Sequence, residues 1–349
     1  YTFRESFVKR GQEAYANFAK VWKDYKDENY DEALKIESTV DNDVSTLVYK
    51  DIPSYSEEFA DSTRNCSGAC LNILNKQVFN LIGGSADVAG SVMTHIKDET
   101  DFTATNRSGR NVNWGIREFA MAAMQNGMLL HGGLRTYVGC FLVFADYLKP
   151  AVRMAALSGL PAIYLLSHDS IAVGEDGPTH QPIEQLAMLR SIPNVNVIRP
   201  CDARETAAAW KVALESTRTP TCLILSRQKL PMIYSTSYAG VAKGGYVVSP
   251  EKEKLDFTII ATGSEVSLAV EAQKKLLADG IDTRVVSMPS MNAFAQQDEA
   301  YIEKVLGAPY EKRIAVEMLS SFGWHKFAKN VMSIERFGAS GPADDVIPS

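Results

Sequence analysis

Short apolar stretches alternate with longer amphipathic stretches between residues 61 and 233. The short stretches are rich in Val, Ile, Leu and Thr, which predicts buried β-strands. The longer stretches repeat apolar residues at helical spacing. This alternation is typical of a parallel, doubly wound α/β sheet. The predicted strands are 78–82, 135–140, 162–166, 195–198 and 221–225, and the predicted helices are 118–130, 147–158 and 203–215.

Residues 1–60 form a separate amino-terminal segment in this prediction. Up to about residue 30, aromatic and aliphatic residues such as Trp22 recur at helical intervals among Lys, Glu and Asp. This pattern predicts an amphipathic helix. From residue 31 to residue 60 the pattern loosens into polar residues with Pro53 and several serines, which predicts a surface linker.

A second alternation follows the Ser-, Tyr- and Gly-rich stretch 234–245 and predicts a smaller α/β domain over residues 246–349. Its predicted strands are 257–262, 283–288 and 313–317, and its predicted helix is 265–278. Ser264 is the expected N-cap of that helix. The last residues, 338–349, contain no closing element, so we expect an artificial boundary or a disordered tail there.

Composition places the chain among globular proteins with more than one domain. Its 349 residues are 46% hydrophobic and 22% charged, close to globular averages. A net charge of −6 argues against a nucleic-acid partner, because general phosphate-backbone binders carry a clustered basic excess. The sequence shows neither a signal-like core at its start nor a run near the roughly 18 apolar residues of a membrane span. We therefore expect a cytoplasmic protein with no membrane partner.

Cysteine usage predicts reduced thiols. The five cysteines include a C-x3-C pair, Cys66 and Cys70, without a second Cys/His pair to complete a metal site. Free cysteines commonly pack as small hydrophobic residues. We expect no structural metal in this chain.

The segment after the predicted strand 162–166 carries the densest chemistry. It contains Ser167-His168-Asp169-Ser170 and then Gly174-Glu175-Asp176-Gly177-Pro178-Thr179-His180-Gln181-Pro182. Histidine titrates near neutrality and nearby carboxylates tune its pKa, so this loop suits proton transfer. The alternative is a solvated loop whose charges are incidental.

Weaker candidates lie near other predicted strand ends, where doubly wound sheets bind ligands. Asp87 follows Gly83-Gly84, which favours a tight exit turn, and Arg227 follows strand 221–225. Their structural alternatives are an ordinary turn residue and a surface arginine.

Glu118 and a set of aromatic residues complete the candidates. A carboxylate in the first turn of a helix is commonly a capping residue. The apolar residues that follow Glu118 nevertheless predict a buried turn, where a carboxyl group keeps its proton and can donate it. Phe141, Phe144 and Tyr147 are spaced by three and predict one helical stripe, which either packs in the core or stacks on a heteroaromatic ring.

Taken together, these motifs resemble transketolase in order and spacing. The resemblance runs from about Arg64 to Phe337 and is most specific in the string Gly174 to Pro182. The other matching motifs are Gly83 to Asp87, Arg117-Glu118-Phe119, His168-Asp169-Ser170, Arg199-Pro200-Cys201-Asp202, Leu225-Ser226-Arg227-Gln228, Ala261 to Val266 and Val285 to Ser290. The resemblance implies a thiamine-diphosphate pyrimidine-binding fold followed by the family's C-terminal domain.

The resemblance also implies residue roles around the cofactor thiamine diphosphate. Glu118 matches the glutamate that hydrogen-bonds the aminopyrimidine ring nitrogen, which requires a proton on or shared with its carboxyl group. Phe144 matches the ring that stacks on the pyrimidine, and Phe141 and Tyr147 complete that pocket. Asp87 matches an acid near the cofactor at the subunit interface.

On the substrate side, His180 resembles the histidine that contacts the sugar's carbonyl-end hydroxyls and assists proton transfer. Asp176 resembles the residue that recognises the C2 hydroxyl of the acceptor. The phosphate clamp is matched by Arg64, Ser91, His168 and Arg227. The implied reaction moves a two-carbon ketol unit from a ketose phosphate to an aldose phosphate.

Two departures from the family pattern shape the expectation. The family's Gly-Asp-Gly motif, which with a downstream Asn holds Mg²⁺ or Ca²⁺ and the cofactor diphosphate in a preceding domain, does not occur in this sequence. The C-terminal domain also looks shorter than the family's. We therefore expect a fragment, a proteolytic remnant or one subunit of a split enzyme, inactive by itself and at least a homodimer. The alternatives are a 1-deoxyxylulose 5-phosphate synthase-like enzyme, a 2-oxo acid dehydrogenase β-subunit, or a non-catalytic dimerisation or assembly subunit.

Overall fold

The protein forms two compact units, Tyr1–Thr46 and Leu47–Ser349. The structure, a computed structural model, describes residues 2–40 and 53–347. The helices are α1 (Thr2–Glu28), α2 (Tyr30–Val40), α3 (Thr63–Leu74), α4 (Ala89–Val92), α5 (Glu118–His131), α6 (Ala145–Ser158), α7 (Gln185–Arg190), α8 (Ala203–Glu215), α9 (Tyr238–Lys243), α10 (Glu265–Ala278), α11 (Met291–Phe294), α12 (Glu299–Leu306) and α13 (Ala343–Val346). The strands are β1 (Ala60–Asp61), β2 (Leu81–Ser85), β3 (Asn111–Asn113), β4 (Arg135–Phe141), β5 (Ile163–Ser167), β6 (Asn196–Ile198), β7 (Thr221–Leu225), β8 (Leu230–Pro231), β9 (Tyr246–Ser249), β10 (Phe257–Ala261), β11 (Thr283–Ser287), β12 (Arg313–Val316) and β13 (Asn330–Met332).

The first unit is a helical hairpin. Helix α1 is 27 residues long, as the amphipathic pattern predicts, and α2 packs beside its last turns. Ala33 of α2 is fully buried, and the Glu37 carboxylate accepts hydrogen bonds from Trp22 Nε1 at 3.3 Å and Lys26 Nζ at 2.8 Å. The prediction of a linker from residue 31 is therefore wrong for residues 31–40, because these contacts fix a second helix. Residues 41–52 of the predicted linker lie outside the described residues.

A parallel sheet is the larger layer of the second unit. Within the described residues it has six strands in the order β3-β2-β4-β5-β7-β6. One apolar cluster packs α5, α6 and α7 on one face, and another packs α3 and α8 on the opposite face. The prediction of a doubly wound parallel sheet is confirmed. All the carboxyl ends of these strands lie at one edge, which places their following loops together.

Two glycines lie inside β2 and not in the turn that their sequence predicts. A Cβ atom at Gly83 would collide with the carbonyl oxygen of Tyr137, and one at Gly84 with the carbonyl oxygen of Val112. Both residues pair with neighbouring strands on either side. The strand lies at residues 81–85 and not at 78–82 as predicted. Its glycines continue the strand because they permit a close approach of neighbouring backbones in the sheet.

The smaller second sheet has the order β13-β12-β10-β11-β9. Strand β9 pairs with β11 antiparallel, whereas β10 pairs in parallel with β11 and β12. Helix α8 joins the two sheets, because its buried Trp210 belongs to an apolar cluster that continues into β9, β10 and β11. Trp210 Nε1 donates to Ser67 Oγ at 2.8 Å, so this large side chain is buried without an orphan donor.

A buried ionic cluster joins the same two layers. The Arg199 guanidinium, which follows β6, donates to Asp169 Oδ2 at 2.8 Å and also to the Glu265 carboxylate at the start of α10. Arg190 forms a two-pronged contact with Glu317 at 2.8 and 2.9 Å. Burial by itself would lower the pKa of Arg199. The negatively charged carboxylates of Glu265 and Asp169 outweigh that effect and raise the pKa above its usual range. Removing one partner would leave a buried charge unpaired, at a cost of about 3–5 kcal/mol.

Two local predictions differ from the structure in detail. Ser264 occupies the N-cap position of α10, as predicted, but its side chain does not cap the helix, since its hydroxyl donates to Glu265 Oε1. The prediction of an irregular tail without a closing element is wrong for residues 343–346, because they form α13 and Val346 packs against Ile171 and Ile183.

The helices of residues 2–40 and 53–347 include none that is both long enough and apolar enough to cross a membrane. All five cysteines are free and buried.

Candidate active site

The candidate site lies where β2, β4, β5 and β7 end. Asp87, Phe141, His168 and Arg227 follow or close these strands, so parallel pairing alone brings four distant segments together. Helix α5 begins at the same edge with Glu118.

His168 is held in an unusual backbone conformation directly after β5. Its φ of 63° lies in the left-handed region, and its side chain is almost completely buried. Ser167 Oγ lies 2.8 Å from His168 Nδ1, and the ring of Phe141 is 3.8 Å away between centroids. A strained non-glycine residue fixed by such contacts is characteristic of a functional position.

Two arginines make the surroundings of His168 cationic. Burial, Arg64, Arg227 and His180 together lower the pKa of His168 to about 3, so its imidazole is neutral at physiological pH. Arg64 Nη1 donates to the Ser91 carbonyl at 2.8 Å, whereas its Nε is buried without a hydrogen-bond partner in the described residues. Burial and Arg227 lower the pKa of Arg64. Two converging guanidiniums with unused donors form a pocket suited to an anion.

An arc of rings continues from His168 towards α6. Phe141 and Phe144 stack with centroids 6.0 Å apart, and Phe144 lies 6.1 Å from Tyr147. The His180 ring meets the Phe144 ring edge-on at 5.5 Å. The spacing predicts that the three aromatic residues lie on one helix, and this prediction is wrong. Phe141 ends β4, Phe144 closes a 3₁₀ turn over Leu142–Phe144, and Tyr147 lies in α6.

A cavity of about 450 Å³ opens beside this arc. Its lining residues are Ala86, Asp87, Val88, Ile116, Glu118, Cys140, Phe144 and Tyr147. No hydrogen-bond donor in the described residues reaches the Glu118 carboxyl group, which is partly buried. Burial and the nearby Glu118 charge raise the pKa of the Cys140 thiol, so that thiol stays protonated.

The turn that carries Glu118 is less buried than its apolar neighbours predict. Ile116 is 77% exposed and Phe119 is 53% exposed. The apolar side chains after Glu118 divide between the two sides of α5, with Met121 in the core and Phe119 facing outward. The prediction of a buried turn is wrong within this chain, because Ile116 and Phe119 on either side of Glu118 lie largely in solvent.

The loop between β5 and α7 is shaped by two glycines with positive φ, Gly174 at 76° and Gly177 at 75°. It carries His180, whose Nδ1 lies 3.0 Å from Thr179 Oγ1, and Asp176, which is exposed. The structure shows no contact between the Asp176 carboxylate and the other candidate residues in the described part of the chain.

The end of the second unit holds this loop, and the sequence pattern did not predict it. Ser340 Oγ donates to the Glu175 carbonyl at 2.6 Å, and Gln181 Nε2 donates to the Ala339 carbonyl at 2.9 Å. A Cβ atom at Gly177 would lie 3.2 Å from Ser340 Cβ. The glycine pair in the loop and the run Gly338-Ala339-Ser340-Gly341 were the signals of this close approach.

We compared the residues that line the cavity with the chemical requirements of thiamine diphosphate. Its aminopyrimidine is flat and needs apolar walls with one hydrogen-bonding group at the ring edge. Phe144 and Tyr147 provide aromatic walls, and the unpartnered Glu118 carboxyl provides the polar contact. These residues fit the pyrimidine end of such a group.

The fold and site define an α/β protein whose candidate site lies at the carboxyl ends of parallel strands. Residues 60–232 match the family model "Transketolase, pyrimidine binding domain", and residues 244–349 match "Transketolase-like TK C-terminal domain". The chain belongs to the transketolase family.

Curated relatives and solved structures give the same family. The chain is 51% identical to the transketolase of Bacillus subtilis and 48% identical to a probable transketolase of Streptococcus pneumoniae, over 99% of its length in both cases. It spans about half the length of these relatives, 52% and 53%. A Pichia stipitis transketolase in complex with sedoheptulose 7-phosphate has a TM-score of 0.92 and 39% identity, and covers 98% of this chain and 51% of its own.

A shorter solved structure is also similar. It is described as a split-gene transketolase in the form of an inactive β4 tetramer. The match has a TM-score of 0.62 and 25% identity, and covers 78% of this chain and 87% of that protein.

Proposed function

We propose that this chain supplies the pyrimidine-binding half of a transketolase active site. The reaction transfers a two-carbon ketol unit from a ketose phosphate to an aldose phosphate. The observation that carries the proposal is one continuous arrangement at the strand ends. An unpartnered Glu118 faces an aromatic cavity, and the Phe141 ring connects that cavity to the cationic pocket around His168.

At the cofactor end, Glu118 would bind the ring nitrogen of the aminopyrimidine and hold a proton there. Phe144 would stack on the ring, with Phe141 and Tyr147 beside it and Asp87 at the cavity rim. When bound, thiamine diphosphate supplies a carbon nucleophile that this chain lacks. The contribution of the protein would be to orient the ring and exclude water, with Glu118 sharing a proton with the ring nitrogen.

At the phosphate end, Arg64, Arg227 and neutral His168 would bind the sugar phosphate, with Ser91 beside Arg64. A neutral imidazole donates one hydrogen bond without adding a third positive charge. Guanidiniums favour phosphate because they donate in pairs with a fixed geometry.

Between these ends, His180 and Asp176 would contact the reacting sugar. The His180 ring lies against Phe141 and Phe144, so it would lie beside the proposed cofactor ring. A carboxylate such as that of Asp176 recognises a hydroxyl selectively, because a substrate without that hydroxyl leaves the carboxylate unpaired.

Activity would require a diphosphate-binding half, with its Mg²⁺ or Ca²⁺, in addition to this chain. The support is the share of relatives that the chain spans, about half. The split-gene neighbour is described as inactive in its β4 form, which is what a pyrimidine-binding half alone would be. The same observation favours a second function, a non-catalytic assembly subunit.

Reconstitution tests the proposal. The probe is the complementary half, meaning the part of the Bacillus subtilis transketolase outside the 351 residues that match this chain. It is used once circular dichroism shows that it is folded. A mixture of both proteins with thiamine diphosphate and Mg²⁺ should convert xylulose 5-phosphate and ribose 5-phosphate. Turnover of pyruvate alone would contradict the proposed substrate class, and no turnover would favour the assembly subunit.

A further inference from the structure

Helix α1 carries an aromatic stripe that its own unit leaves uncovered. The side chains of the stripe lie within about 60° of one another around the helix, at 100° per residue. Every one of them is exposed, and α1 contains no buried residue. We define the aromatic stripe as Phe3, Phe7, Phe18, Val21 and Tyr25.

Helix α2 does not cover the stripe. It contacts the adjacent side of α1, where Trp22 and Lys26 reach the Glu37 carboxylate. The Trp22 ring stacks on Phe18 and Tyr25 at one edge of the stripe, with centroids 6.4 and 5.8 Å apart, and both residues stay exposed. The face of α1 opposite the stripe carries Lys9, Gln12 and Lys20, which are exposed. The helix therefore has a face that water solvates well and a face that needs protein contacts.

The composition of the stripe argues against pairing with a second copy of α1. Two-stranded helical seams favour branched aliphatic residues that interlock. The stripe instead has aromatic rings, with the small residues Gly11 and Ala14 between them. Aromatic side chains are enriched at protein–protein interfaces in general.

We infer that the aromatic stripe docks on the diphosphate-binding half of the enzyme. This inference rests on the proposed function. The match to the Bacillus subtilis transketolase covers 99% of this chain, so it includes the α1–α2 unit, and that relative is about twice as long. The unit is therefore kept in proteins that also contain the other half. The small residues Gly11 and Ala14 leave a notch into which side chains of that half would insert.

The test measures association of the full chain with the complementary half by sedimentation velocity. The stripe variant is F7Q/F18Q, which retains helix-forming residues and removes two rings. The matched control is K9Q/K20Q on the opposite face. We expect the stripe variant to weaken the association at least tenfold, and the control to bind like the unchanged chain.

The other possible outcomes of this experiment also have definite meanings. Unchanged binding by F7Q/F18Q, or no binding by the unchanged chain, would overturn the docking surface. Loss of self-association by F7Q/F18Q, with binding to the complementary half retained, would assign the stripe to a second copy. Stripe-dependent association without turnover of sugar phosphates would contradict the proposed function and leave the docking surface standing.

Discussion

Glu118 is the residue on which the proposed chemistry of the candidate site depends. Its carboxyl group faces the aromatic cavity and has no hydrogen-bond donor in the described part of the chain. An unpaired carboxyl group beside Phe144 and Tyr147 is expensive to bury unless a ligand completes it. We interpret it as one side of a hydrogen bond whose other side is the cofactor.

Replacing Glu118 with Gln tests this interpretation. Glutamine keeps the shape of the side chain but cannot exchange a proton with a ring nitrogen. In the reconstituted enzyme we expect kcat to fall about 100-fold or more. The thermal unfolding midpoint of the chain should stay within about 2 °C, since Glu118 has no protein partner to lose. Turnover within twofold of the unchanged enzyme would remove Glu118 from the mechanism.

Sequence reasoning found residues of the site that cluster along the chain. His168 and His180 were found because two histidines and several acids occur in one short loop. Arg199 was not assigned a role from the pattern, because its partners Asp169 and Glu265 are 30 and 66 residues away. The topology of the sheets brings such distant residues together, so no local pattern in the sequence indicates that they pair.

At the scale of elements, the end of the second unit supports the loop between β5 and α7. Val346 of α13 is buried against Ile171 and Ile183, on either side of the loop that carries Asp176 and His180. The hydrogen bonds of Ser340 and Ala339 tie the same loop to the segment before α13. These contacts fix where His180 lies relative to Phe144.

Loosening α13 should therefore loosen the loop. Replacing Val346 with Ser removes a buried apolar side chain and should raise hydrogen-exchange rates in residues 171–182 by about tenfold or more. Asp345→Ser, at an exposed position of the same helix, is the matched control. Exchange by mass spectrometry at equal rates in both variants would show that α13 does not hold the loop.

The junction between the two sheets should be sensitive to pH. Burial and the neighbouring Asp202 raise the pKa of Glu205 to about 7, where its carboxyl group meets Tyr246 and Ser287. The folded state then binds more protons than the unfolded state between about pH 4.5 and 7. Stability from this group is full below pH 4.5 and is lost as pH rises through 7.

Glu205→Gln tests that sign. The variant cannot ionise at this position, so its free energy of unfolding relative to the unchanged chain should increase from pH 5 to pH 7.5. Urea titrations at four pH values would give the trend. A difference that is constant with pH, or that moves the other way, would contradict the raised pKa.

Element boundaries were predictable where the apolar pattern was strong. The strand at residues 221–225 and the helices at 203–215 and 265–278 have the predicted limits. The helix α2 and the antiparallel strand β9 were missed, because their formation depends on partners elsewhere in the chain. The Gly83-Gly84 pair was wrongly interpreted as a turn, whereas it lies inside β2 and allows neighbouring strands to pack closely.

At the scale of the whole molecule, the face formed by α5 and α6 is incomplete. These packed helices leave several large apolar side chains in solvent, among them Phe119, Leu130, Met154 and Leu157. A second cavity of about 550 Å³, lined by Trp114, Met124 and Leu134, opens beside α5. An apolar surface of this kind is expected to be covered by another protein surface. Covering it would also bury the turn that carries Glu118.

We expect this face to form a homodimer. The unchanged chain should sediment as a dimer or a larger oligomer, and F119Q/L157Q should weaken that association at least tenfold. Leu268→Gln, at an exposed apolar position of α10, is the control. A monomeric unchanged chain, or a variant as oligomeric as the control, would contradict the interface.

The central claim is that this chain contributes half of a cofactor site. Calorimetric titration of thiamine diphosphate with Mg²⁺ tests it in the chain alone, in the complementary half alone and in an equimolar mixture. The account predicts weak or undetectable binding to either protein alone and binding at least tenfold tighter to the mixture, with part of that gain lost in Glu118→Gln. Equal affinity in the complementary half and in the mixture would contradict it, because this chain would then add nothing to the site.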